Sequence, residues 1–64
     1  MITDIDGNEI KIGSLCIIPS AVAQKRVWKV IAVETGLKGD VAHLKEVLGD
    51  EETFRFYNDI LVIL

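Results

Sequence analysis

The chain is short of the residues that make most chemistry and most anchors. In 64 residues it has one cysteine, one histidine, one proline and one tryptophan, and aromatics make up 6%. A lone Cys16 excludes an internal disulfide and a cysteine-based zinc centre, and it fits a reducing compartment. Its neighbours Leu15, Ile17 and Ile18 are apolar, which is the setting of a core thiol rather than a reactive one. No apolar run approaches the roughly 20 residues that span a bilayer. The longest, Ile60–Leu64, has five. The opening "MITDIDGNE" is acidic, not basic-then-apolar, so no signal peptide is expected. Ile2 after Met1 and a cysteine-free tail leave no lipidation signal. A cytoplasmic protein without membrane association is expected.

Positive charge is also scarce. Seven Lys and Arg against ten Asp and Glu give a net charge of −3. A general polyanion binder needs clustered cations, so that class is disfavoured. Catalytic and cofactor motifs are lacking as well. "TGLKGD" at 35–40 has neither the phosphate-loop nor the dinucleotide spacing. Ser14 and Ser20 lie in turn or loop contexts with no nucleophile elbow. His43 has no sequence-readable acid or nucleophile beside it. Asp50, Glu51 and Glu52 read as a solvated hairpin tip. Asp4, Asp6 and Asn8 have the first spacings of a calcium loop, but Glu9 stands where its glycine should be and Leu15 where its glutamate should be. No enzyme activity, cofactor or metal is expected.

What is present is strand and turn. Apolar residues are 50% of the chain and are spread along it, which argues against disorder. A single domain of this size buries only about 60% of its unfolded surface, so every strand must contribute. "DGN" at 6–8 is a strong turn signal, and Gly13-Ser14 is a second break. "LCII" at 15–18 is a short strand stopped by Pro19. Residues 19–26 read as a loop, and "VWKVIAVE" at 27–34 as the clearest strand. "TGLKGD" is a loop. "VAHLKEVL" at 41–48 fits a strand with Ala42, Leu44, Glu46 and Leu48 on one face and Val41, His43, Lys45 and Val47 on the other. It also fits a short helix burying Val41, Leu44, Val47 and Leu48. The strand is preferred, because the flanking strands need a partner. "TFRFY" at 53–57 alternates as a strand, "YND" at 57–59 is a tight bend or one 3-10 turn, and "ILVIL" closes the chain.

This succession resembles the SH3-like small β-barrel over residues 14–64, with 1–13 as an N-terminal extension or hairpin. The resemblance rests on strand order and loop placement. The opening "IKIGSLCII" is also similar to that of the KOW-type variant of the fold. The acidic, aromatic loop and the Trp pair of proline-peptide-binding SH3 domains are missing, so that activity is not carried over. The expected fold is mainly β, a five-stranded barrel; the alternative is an α+β sheet with one helix at 41–48. The resemblance implies a binding module, of the kind found among small bacterial or phage accessory proteins.

Two stretches are candidate contact sites. Lys25, Arg26 and Lys29 surround Trp28, and cations beside an indole can hold phosphates and stack a base. The same Trp28 can equally be the core tryptophan or a protein contact. Several strands are apolar on both faces, which requires a cover for the second face. At the C-terminus Ile60, Val62 and Leu64 alternate with Leu61 and Ile63, and one row belongs to the core. Leu61 and Ile63 form a candidate apolar interface, covered by the N-terminal segment or by a second protein. The leading expectation is protein–protein contact, including self-association; nucleic-acid binding through 24–29 is the runner-up.

Overall fold

The computed structural model describes residues 2–20 and 26–64. Five strands follow in chain order: β1 (Leu15–Ile17), β2 (Trp28–Gly36), β3 (Gly39–Glu46), β4 (Glu52–Phe56) and β5 (Leu61–Val62). A single 3-10 turn, Tyr57–Asp59, joins β4 to β5. All pairings are antiparallel, and the one sheet has the order β4-β3-β2-β1-β5. The protein is mainly β, as expected, and its sheet is open, with β4 and β5 as edges.

The segment at 41–48 is strand through Glu46. Ala42 and Leu44 turn into the core while Lys45 faces solvent, the period-two pattern of a sheet with one buried face. A helix there would leave β2 paired only with β1, at Trp28 and Lys29. The loop expected over 35–40 is shorter than anticipated. Gly36 pairs with Gly39 across a two-residue turn, Leu37-Lys38, and Gly39 has φ of +132°. Glycine at that position lets the strand continue to the turn at no steric cost.

The core is a cluster of Ile10, Cys16, Ile18, Trp28, Val30, Ala42, Leu44 and Ile60, with Ile2, Val33 and Val62 packed against it. Burial pushes the Cys16 thiol up to about 11, so it stays protonated. A register shift between Val30 and Ala32 makes Ile31 a β-bulge. Simple alternation puts Ala32 on the Trp28 side. The bulge moves the phase by one residue, so Val33, opposite Ala42, takes the inward place and Ala32 comes to lie opposite His43. Bulges re-aim side chains in this way.

The N-terminal extension folds back as a small hairpin. Thr3 bridges Glu9, the Ile10 N–H donates to the Ile2 carbonyl at 2.7 Å, and Gly7 holds φ of +88° in the turn. Asp4 is buried at its centre. One carboxylate oxygen accepts the N–H groups of Asp6 and Asn8, at 2.9 and 2.8 Å. The other accepts the Val62 N–H at 2.9 Å. Burial pushes the Asp4 carboxyl up, but the hydrogen bonds from Val62, Asn8 and Asp6 outweigh it and hold the group below its ordinary value. The Asp4–Asp6–Asn8 spacing is thus used for a turn, and the acid clasps the hairpin to β5.

That clasp places the N-terminal hairpin on the inner side of β5. Ile2 and Ile10 join Ile60 and Val62 in the core, so the hairpin covers the inner row of the C-terminal strand. Leu61 is only half-buried, and Ile63 and Leu64 are exposed.

Candidate binding surface

The outer face of the sheet is formed by residues that alternate with the core row. From β2 come Lys29, the bulged Ile31, and Ala32; from β3, Val41, His43 and Lys45; from β4, Phe54 and Phe56. The register brings them together: Ala32 lies opposite His43, His43 opposite Phe54, and Val41 opposite Phe56. Phe54 is 57% exposed and Phe56 41%. Two phenyl rings on the open side of an edge strand are an uncommon use of aromatic residues in a chain this small, where apolar area is needed for the core. An open depression of about 420 Å³ lies here, lined by Ile31, Ala32, His43, Glu52, Thr53 and Phe54.

His43 sits in the middle of this surface. Its ring centroid is 6.2 Å from that of Phe54, with the planes tilted by 43°. Its Nε2 is in hydrogen-bond contact with the Glu34 carboxylate. That contact fixes the imidazole among its apolar neighbours. The inward-facing side of β4 is the polar one. Thr53 lies opposite Leu44 and Arg55 opposite Ala42. The Arg55 Nη1 donates to the Thr53 hydroxyl at 2.6 Å and to the Phe54 carbonyl at 2.8 Å, and its Nε lies 3.6 Å from Asp59. Asp59 also accepts the Ser20 hydroxyl at 2.6 Å. Those bonds hold β4, the 3-10 turn and the loop after β1 in one arrangement.

Of the described residues in the basic stretch, Trp28 is taken up by the core and Arg26 by two carboxylates. Trp28 is 4% exposed and belongs to the core, so its indole faces are not offered for stacking. Arg26 lies 3.3 Å from Glu46 and 2.8 Å from Glu51, which commits its guanidinium to the β3–β4 turn. Lys25 lies outside the described residues. Lys29 is exposed and stands directly opposite Lys45 on the outer face. The Leu61 and Ile63 row is also on the outer side of its strand, since Leu61 lies opposite Ile17 while Val62 lies opposite the buried Cys16. Ile12 and Leu64 add exposed apolar surface at that end, beside a depression of about 500 Å³.

Phe54 and Phe56 were not singled out by sequence. Their alternation with Arg55 is visible, but it does not tell which side is inward. The signal was in the partner strand: once Ala42 and Leu44 are the inner row, the β3–β4 register sends both rings outward. Among the described residues no group of three or more His, Cys, Asp or Glu side chains is placed to hold a metal, and no helix is long and apolar enough to cross a membrane. Comparison of the chain with family models, with curated proteins and with solved structures finds no match.

Proposed function

We propose that this protein is a non-catalytic binding module that acts by protein–protein contact through the outer face of β2–β4. The observation that carries the reading is the exposed pair Phe54 and Phe56, set beside Ile31 and His43 on a surface held by two strand pairings. Aromatic residues at the centre of a polar-rimmed patch are the usual anchors of protein interfaces. A rigid sheet presents them with little ordering cost on binding. The strand order β4-β3-β2-β1-β5, with a 3-10 turn between β4 and β5, supports assigning the domain to the SH3-like small barrels, which the sequence resembles. The single buried thiol supports a place in the cytoplasm.

Docking on the face is favoured over strand addition at the edge. Arg55 folds over the Phe54 carbonyl, and a charged side chain on an edge strand discourages pairing with another chain. Site-specific photo-crosslinking in the native host tests the reading. A photoreactive phenylalanine analogue at position 54 is expected to capture a protein, a second copy of the chain included, whereas the same probe at Leu37, in the β2–β3 turn, captures none. Equal capture at both positions, or none at 54, contradicts the proposal.

A further inference from the structure

We propose that the docking face recognises an acidic, apolar peptide segment of its partner, with a carboxylate seated between Lys29 and Lys45 and a neighbouring aliphatic or aromatic side chain against Ile31, His43 and Phe54. This rests on the reading of that face as a protein-contact surface, and adds the chemistry of what it contacts. Lys29 and Lys45 are directly opposite each other across β2 and β3, and both are exposed. Like charges in that position are unfavourable. Among the described residues neither lysine has an ion-pair partner. Glu46, next to Lys45 in the chain, lies 3.3 Å from Arg26 instead. Glu52 is opposite Lys45 on the β4 side and does not close an ion pair with it. An open depression of about 410 Å³ lies at the two lysines, with Ile31, Val47 and the Arg26-paired Glu46 also in its lining. Ile31 also lines the depression beside His43 and Phe54.

The two depressions share the bulged Ile31 in their lining. A cationic seat and an apolar seat therefore lie side by side on one rigid face of a protein whose net charge is −3. A carboxylate between the two ammonium groups would replace their mutual repulsion with two attractions. Because the lysines are exposed, the attraction is screened as salt rises. The surroundings favour a peptide carboxylate over a nucleic-acid backbone. Glu34 and Glu52 flank the face, Arg26 is paired, and Trp28 is buried, so a run of phosphates would meet repulsion on either side of two cations.

A displayed random-peptide library panned on the intact protein tests this. Enriched peptides should carry Asp or Glu within two residues of a large apolar side chain. Their affinity should fall about tenfold in Lys29→Glu/Lys45→Glu and fall with rising salt. Lys29→Glu alone places a carboxylate opposite Lys45, so it should melt no lower than the parent while losing peptide binding; that combination excludes unfolding as the cause. Peptides that depend on Phe54 but show no acidic excess, or that are indifferent to the lysine reversals, overturn this inference and leave the docking face standing. Absence of any binding sensitive to Phe54→Ser overturns both. A single-stranded oligodeoxynucleotide that displaces the peptides and depends on the same lysines overturns the inference in favour of nucleic acid.

Discussion

The two edge strands of the sheet end in opposite ways. At β5, an acid from another part of the chain reaches in: Asp4, itself buried in an otherwise largely exposed hairpin, accepts the Val62 N–H at 2.9 Å. At β4, a base from the strand itself folds over: Arg55 donates to the Phe54 carbonyl at 2.8 Å and remains partly exposed. The first arrangement brings Ile2 and Ile10 of the hairpin, Cys16 of β1, and Ile60 and Val62 together at the core. The second leaves the neighbouring face, with Phe54 and Phe56, open to solvent. In a domain near the lower size limit for independent folding, apolar surface spent outside the core is surface that stabilises nothing until something covers it. One edge is tied to the N-terminal hairpin, and the other borders the face proposed above for contact.

Breaking the closed side should have the largest effect. Deleting Ile60–Leu64 removes the fully buried Ile60, the Val62 contact with the core and the acceptor and donor groups that pair with Leu15. Burial of a side chain like Ile60 is worth about 2–5 kcal/mol on truncation to alanine, a large part of the stability of so small a domain. The truncated chain is expected to lose its cooperative thermal melt; a retained sharp transition contradicts the role assigned to β5.

Comparing the two edges directly is the next test. Asp4→Ala removes the buried carboxylate that accepts three part-buried N–H groups, from Asp6, Asn8 and Val62, and should cost about 1–3 kcal/mol in chemical denaturation. Arg55→Ala, at a partly exposed site, should cost within about 0.5 kcal/mol. The two substitutions should also differ in acid. The folded-state value of Asp4 is depressed below its unfolded one, which is about 3.9. Its contribution is therefore fully present above the unfolded value and is lost as pH falls through the folded one. The stability gap between the parent and Asp4→Ala should be constant at neutral pH and shrink below about pH 4. A gap independent of pH would remove the carboxylate clasp from the account.

Much of this architecture is legible in the sequence, and the reasons are local. Gly7 marks the first turn because Asp-Gly-Asn tolerates positive φ. "YND" between two strands leaves room for one turn only. Ala42 and Leu44 alternate with lysine and histidine as a half-buried strand does. The candidate surface was harder to read, because it depends on register. A single-residue bulge at Ile31 swaps Ala32 for Val33 on the inner face, and no propensity announces it. Arg26 looks like a phosphate ligand in "QKRVWK" until Glu46 and Glu51, from 20 and more residues away, are brought to it. Asp4 looks like a calcium ligand until Val62 arrives from the other end of the chain. Each of these is a long-range pairing that composition and spacing do not encode.

The central claim is that the outer face is for contact and not for stability. The double variant Phe54→Ser/Phe56→Ser tests it most directly, with thermal melting and peptide-binding anisotropy measured on the same sample. The account predicts a cooperative melt with stability changed by no more than about 1 kcal/mol, as for surface substitutions, together with loss of binding to peptides selected on the parent. A variant that unfolds, or one that binds those peptides as tightly as the parent does, contradicts it.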